Sequence, residues 1–169
     1  LGFAIAPRLN AAGRLDNMSV GVELLLAESM QEARAQALDL DSLNQARKEI
    51  EQGMKLEALE ICRNLTELSD ELPMGIALFQ KDWHQGVLGI VASRIKDQYH
   101  RPVIAFAQDQ EGILKGSARS IEGLHMRDVL ERIHSQHPDM ILKFGGHSMA
   151  AGLSIKESFF PDFQKIFNQ

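Results

Sequence analysis

The longest regular pattern in this 169-residue chain limits what the rest can be. Leu40, Leu43, Ala46, Ile50, Met54, Ala58, Ile61, Leu65 and Leu68 recur every three or four residues, the spacing that lines up one face of an α-helix. Arg47 with Glu51 and Glu51 with Lys55 add opposite charges four residues apart. Unbroken from about Gln31 to Leu68, such a helix would reach roughly 55 Å at 1.5 Å per residue, a connector's length. No strict heptad is kept, which argues against a coiled-coil dimer. Gly53 is its weak point, costing on the order of 1 kcal/mol relative to alanine.

The grammar differs on either side. Ser19 reads as the N-cap of a shorter helix of about ten residues, with Glu23 in its first turn and Val22, Leu25 and Leu26 on an apolar face. After Ser69-Asp70-Glu71-Leu72-Pro73 come strand-length apolar runs at Met74–Phe79, Pro102–Ala107, Ile113–Arg119, Met140–Phe144 and Ala150–Ile155. Helical patterns separate them at Gly86–Tyr99 and Met126–Gln136, and Phe159, Phe160, Phe163, Ile166 and Phe167 mark a closing helix. Asp109-Gln110-Glu111-Gly112 reads as a hairpin turn. The expected fold class is α/β: a long N-terminal connecting helix followed by a small mixed β-sheet domain flanked by helices.

Composition bounds the setting. With 44% apolar residues the chain can bury a core, and it contains no run of roughly 20 apolar residues, so no membrane partner is expected. Cys62 is the only cysteine, which rules out an intrachain disulfide and points to a reducing cytoplasm, with the thiol buried. The apolar start Leu1-Gly2-Phe3-Ala4-Ile5-Ala6-Pro7, without methionine, reads as part of a longer protein. A net charge of −5 argues at first against a nucleic-acid partner. Its distribution does not: residues 19–72 hold 12 acids and 5 bases, whereas residues 73–169 hold 10 acids, 11 bases and all six histidines. The acidity belongs to the middle segment and leaves the flanks free to carry positive sites.

Four stretches concentrate polar groups among small residues. In Gly145-Gly146-His147-Ser148-Met149-Ala150-Ala151-Gly152 two adjacent glycines follow an apolar run, a poor choice for a plain strand. A tight turn, or close approach of a ligand to exposed N–H groups and the His147 ring, would account for them. Ala6–Leu15 sets Arg8, Asn10 and Arg14 between Pro7 and Gly13, with guanidinium groups suited to phosphate oxygens. Trp83-His84-Gln85-Gly86-Val87-Leu88-Gly89 leads into a helix N-terminus, where free N–H groups favour an anion. Gly116-Ser117-Ala118-Arg119-Ser120 ends a strand with two hydroxyls and a guanidinium. There is no HExxH, paired-cysteine zinc pattern, P-loop or nucleophile elbow. His84, His125, His134 and His137 do not follow a metal-site spacing, so surface or capping roles are expected, and Asp128 and Glu131 fall on the outer face of a helix. These groups describe a surface that holds a substrate without a reaction centre of its own.

Taken in order, Ala6–Leu15, Trp83–Arg94, Gly116–Ser120 and Phe144–Ile155 carry the motifs APRLNAAGRL, WHQGVLGIVASR, GSARS and FGGHSMAAGLSI. In these the chain resembles the RecJ family of the DHH phosphoesterase superfamily, single-strand-specific 5′→3′ exonucleases, over essentially its whole length. The resemblance implies that residues 1–28 form the C-terminal edge of a DHH catalytic domain, 29–72 an acidic connecting helix, and 73–169 a DHH-associated, substrate-binding domain. It implies that Ser117 and Arg119 hold a terminal phosphate or nearby backbone, with Ser120 and His84 also among the DNA- or phosphate-binding residues. The Gly145-Gly146-His147 loop would approach the nucleotide, and Arg8, Asn10 and Arg14 would face the DNA from the catalytic side. The partner would be single-stranded DNA, and Mg²⁺ or Mn²⁺ would be held by ligands outside this chain, which has no DHH motif. Without the catalytic domain and a further OB-type domain the chain would be inactive alone, and apolar residues around Phe3, Ile5 and Leu9 would promote self-association. Two other readings remain open at this point: a DHH-family phosphodiesterase for short oligonucleotides or cyclic dinucleotides, and a non-catalytic assembly module using the acidic helix and exposed Phe159 and Phe160.

Overall fold

A computed structural model describes residues 2–69 and 72–169 of the chain. It divides into two compact units, Leu1–Gly53 and Met54–Gln169. In the first, α1 (Ala6–Leu15) takes in both Pro7 and Gly13. Pro7 stands in the first turn, where a helix has no partner for its N–H anyway. Gly13 lies inside the helix, where a Cβ would press on Met18 Sδ at 3.2 Å. Ser19 opens α2 (Ser19–Leu26) but does not cap it; its N–H donates to Asn17 Oδ1 at 3.0 Å, so the side chain two residues earlier takes that part. Buried Ala11 and Ala12 and the small Gly21, whose Cβ position is 3.1 Å from Leu9 Cδ2, let α1 and α2 pack closely.

The predicted long helix is α3 (Met30–Ser69), 40 residues in one element. Ser29 Oγ accepts from the Glu32 N–H at 3.1 Å and caps its start. The expected Arg47–Glu51 pair forms at 2.5 Å, and Arg47 also donates to Asn44 Oδ1 at 3.1 Å, which satisfies an asparagine only 3% exposed.

The second unit is built on a five-stranded mixed sheet. Its strands are β1 (Ile76–Phe79), β2 (Val103–Gln110), β3 (Ile113–Arg119), β4 (Ile141–Gly146) and β5 (Ala150–Lys156), in the order β1-β2-β3-β5-β4. The β1–β2 pair is parallel and the others antiparallel. Helix α4 (Leu88–Tyr99), preceded by a 3₁₀ turn at Gln85–Val87, joins β1 to β2 and packs on β2 and β3. Helix α5 (Met126–Gln136) joins β3 to β4, and α6 (Phe160–Phe167) closes the chain after a second 3₁₀ turn.

Strand alternation sorts side chains onto two faces. Ala77, Ile104, Phe106, Leu114, Ala118, Leu153 and Ile155 point to the α5 and α6 side and form the main core with Met126, Leu130 and Phe163. Gly116 faces the same way because a Cβ there would strike the Phe106 ring at 2.5 Å. Phe159 and Phe160, expected to be exposed, are half-buried against this core; the Phe160 ring lies 5.4 Å from Phe79 and 5.7 Å from Phe106. Aromatic packing overrides their position at the chain's end. On the other face, Trp83 Nε1 donates to Glu57 Oε2 at 2.7 Å, joining the loop before α4 to α3. Cys62 is buried, and that burial pushes its thiol pKa up to about 12.

Candidate functional site

The two expected hairpin glycines lie inside a strand. β4 runs through Gly145 and Gly146, and the turn to β5 is left to His147, Ser148 and Met149. Gly146 has φ 148°, and a Cβ there would meet Ala150 O and Ala151 Cα at 2.5 Å. It is glycine because its own neighbour strand presses on it. Gly145 differs: nothing lies within 4 Å of its Cβ position.

This turn is pinned from two sides. Ser120 N donates to Met149 O at 2.9 Å, and Met126 N, at the start of α5, donates to Ser148 O at 2.8 Å. Across the turn His147 N donates to Ala150 O at 2.8 Å, which leaves the His147 side chain exposed. The register pairs Arg119 with Ala150, Ser117 with Gly152, and Gly152 with Gly145. The structure therefore brings the Gly116–Ser120 and Gly145–His147 stretches together on neighbouring strands.

Ser117 and Arg119, two residues apart on β3, share the α4 face. Arg119 Nη1 donates to Ser117 Oγ at 3.1 Å and to Ala118 O at 2.8 Å, so its own strand orients the guanidinium. Gly89 in the first turn of α4 lies directly over them: a Cβ there would meet Ser117 Oγ at 3.0 Å and Arg119 Cζ at 3.1 Å, and would overlap Arg119 Nη2. Any larger residue would displace the guanidinium from this arrangement. Gly89 thus belongs to the site, although the sequence offers it only as the last residue of the Trp83–Gly89 stretch. A glycine inside a strong helical pattern was the available signal.

The other candidates have more local roles. His84 Nδ1 accepts from Gly86 N at 3.1 Å, capping the 3₁₀ turn, while Val87 N and Leu88 N donate to His84 O and Gln85 O. The N–H groups expected to be open to an anion are therefore spent within the turn. Gln85 Nε2 anchors that turn to the end of β2 through Gln108 O at 3.1 Å and Asp109 Oδ1 at 2.9 Å. Ser120 is 1% exposed and donates to Leu124 O at 2.6 Å, so its hydroxyl holds the loop to α5. His125 likewise caps α5, accepting from Asp128 N at 3.4 Å. Arg8, Asn10 and Arg14 lie on α1 in the first unit. There Arg8 Nε donates to Asp41 Oδ1 at 2.7 Å and Nη1 to Ala4 O at 2.5 Å, whereas Asn10 and Arg14 are exposed.

The metal ions implied by the resemblance find no fitting donor set among the described residues, where no group of three or more His, Cys, Asp and Glu could hold one. Asp39-Leu40-Asp41 on α3 spells an Asp-x-Asp triplet, but Asp41 is engaged with Arg8. No helix of the described residues is long and apolar enough to cross a membrane.

Known proteins match this arrangement throughout. The DHHA1 domain family covers residues 72–169. The single-stranded-DNA-specific exonuclease RecJ of Haemophilus influenzae is 82% identical over all 169 residues, and that of Escherichia coli is 62% identical, the chain spanning 29% of each. Among solved structures, RecJ of Thermus thermophilus in complex with Mg²⁺ is 35% identical with a TM-score of 0.80, over 97% of this chain and 24% of that one. An exonuclease RecJ bound to manganese gives 0.78 over 97% and 38%. The chain thus spans less than a third of the curated relatives it matches. With the mixed sheet, the glycine-rich β4–β5 hairpin and the Ser117–Arg119 pair all inside the matched region, the chain belongs to the DHHA1 domain family, as the RecJ-type segment of it.

Proposed function

We propose that this chain is the substrate-holding part of a single-strand-specific 5′→3′ DNA exonuclease. Its relatives of that name match over its whole length, and two of their solved structures carry Mg²⁺ or Mn²⁺, the ions that would activate water for phosphodiester attack in the longer protein. The observation that carries the reading is the Arg119–Ser117 pair under Gly89, with the His147 turn pinned beside it. A guanidinium held by its own strand meets a phosphate with little ordering cost, and Ser117 offers a hydroxyl beside it. The exposed His147 side chain supplies a further polar group next to the pair. Ser120 and His84 keep the surrounding loops in place. In this reading the chain holds the strand, and the cutting belongs to the rest of the longer protein.

The test is a titration of the chain with fluorescent single-stranded DNA, with and without a 5′ phosphate, at two salt concentrations. Binding that prefers the phosphate, weakens with salt and falls about tenfold in Arg119→Ala is the expected result, since hydrogen bonds to charged groups contribute ~1.5–3 kcal/mol. Indifference to both the phosphate and Arg119 would overturn the grip. Release of mononucleotides by the purified chain on adding Mg²⁺ or Mn²⁺ would overturn its inactivity.

A further inference from the structure

Beyond Arg119 and Ser117, the α4 face of the sheet continues over β5 and β4, where α4 does not reach and Lys115, Lys143, Gly145 and Gly152 are exposed. A shallow groove of about 270 Å³ lies there, lined by these four residues and Ser154 among others. The sheet register makes it continuous with the proposed phosphate site: Ser117 pairs with Gly152, which pairs with Gly145, while Lys115 pairs with Ser154, which pairs with Lys143.

Two features of this groove are not explained by the fold. A Cβ at Gly145 would meet nothing within 4 Å, and one at Gly152 would meet only Gly116 O at 3.9 Å. Neither residue has the positive φ found at Gly112, Gly123 and Gly146. Neither packing nor backbone conformation therefore asks for glycine at this cross-strand pair of β4 and β5, where it weakens the strands. The second feature is Ser154, a serine only 3% exposed that lines the groove between the two lysines' strands. What little of this polar side chain is accessible opens onto the groove, where a ligand would meet it.

We infer that this half-face is a track for the nucleotides that follow the gripped phosphate. Residues on one face of a strand repeat at about 6.7 Å, close to one nucleotide step of an extended single strand. Arg119, Ser117 and Lys115 therefore form a ladder in which Lys115 stands about two nucleotides from Arg119. Lys143 flanks it from β4, and the two lysines meet a backbone phosphate as point charges. Gly145 and Gly152 form a flat floor on which the strand lies, and Ser154 donates to it. The acids nearest in sequence, Glu111, Glu122, Asp139 and Glu157, all lie beyond the ends of β3, β4 and β5, outside the ladder. The occupant is a single-stranded oligonucleotide; a duplex is too wide to lie with one backbone on this row and its bases on the glycines.

This inference rests on the phosphate grip proposed above, and ligand length separates the two. The chain is titrated by NMR with 5′-phosphorylated thymidine mononucleotide, trinucleotide and hexanucleotide, comparing wild type, Lys115→Glu/Lys143→Glu, Gly152→Val and Arg119→Ala. Wild type binds the trinucleotide about tenfold more tightly than the mononucleotide. The double lysine variant loses that gain and lowers the salt slope by about 1.4, as expected for two contacts to a single strand, while mononucleotide affinity is unchanged. Gly152→Val, with open space for its side chain, keeps or raises the melting temperature yet loses the trinucleotide gain. Equal affinity for mononucleotide and trinucleotide in wild type, or a trinucleotide gain that survives both variants, overturns the track. Mononucleotide binding that survives Arg119→Ala overturns the grip instead.

Discussion

Single residues carry most of the functional logic, and Gly89 shows how. Its missing side chain lets the first turn of α4 rest on Ser117 and Arg119, so one atom decides whether the guanidinium keeps its place. Gly89→Val is expected to leave the melting temperature nearly unchanged, because the ends of two side chains can give way, and to lower affinity for a 5′ phosphate about as much as Arg119→Ala. Thermal melting and phosphate titration of the same variant check both; an unchanged affinity would mean that Arg119 does not work from this position. Gly89 was not singled out beforehand because its partners lie thirty positions on in β3, a proximity no local pattern reveals. The same holds for Gly145 and Gly146: adjacent in sequence and alike on paper, one is glycine because β5 crowds it and the other faces open space. Ser120 and Ser117 likewise look equivalent until burial separates them, one stapling a loop and one standing beside Arg119.

At the scale of elements, periodicity carried far. The long helix was legible because its apolar positions keep a helical spacing across dozens of residues, and α5 runs over the Met126–Gln136 span read from its pattern. Errors came where a local cue had two meanings. Pro7 ends helices but also starts them, and Gly13 breaks helices unless a neighbour needs the room, so the sequence assigns no element to the stretch that forms α1. Gly53 in α3 tests the reverse case, for nothing lies within 4 Å of its Cβ position. Gly53→Ala is therefore expected to stabilise the helix by about 0.8–1.0 kcal/mol, seen as higher helical content and a later thermal transition by circular dichroism. A loss of stability would show that the helix needs glycine's freedom there.

For the whole molecule, a net charge of −5 is compatible with an anionic ligand because the basic ladder and the acidic middle segment are separate in sequence. The first unit exposes Phe3, Leu25, Leu26 and Met30, four large apolar side chains that a chain in water has reason to cover. Sedimentation at rising concentration is expected to show mass above 18.9 kDa, and Leu25→Ser/Leu26→Ser to restore the monomer; a monomer at every concentration would refute the idea. The strand order has its own consequence. β5 lies between β3 and β4, yet it is the last of the sheet's five strands in sequence. During synthesis β3 and β4 are made first and must wait, each with an unpaired side, until residues 150–156 leave the ribosome and fill the gap between them. The row that joins Ser117, Gly152 and Gly145 thus comes into being in one late event, so a nascent chain has no partial version of the binding floor.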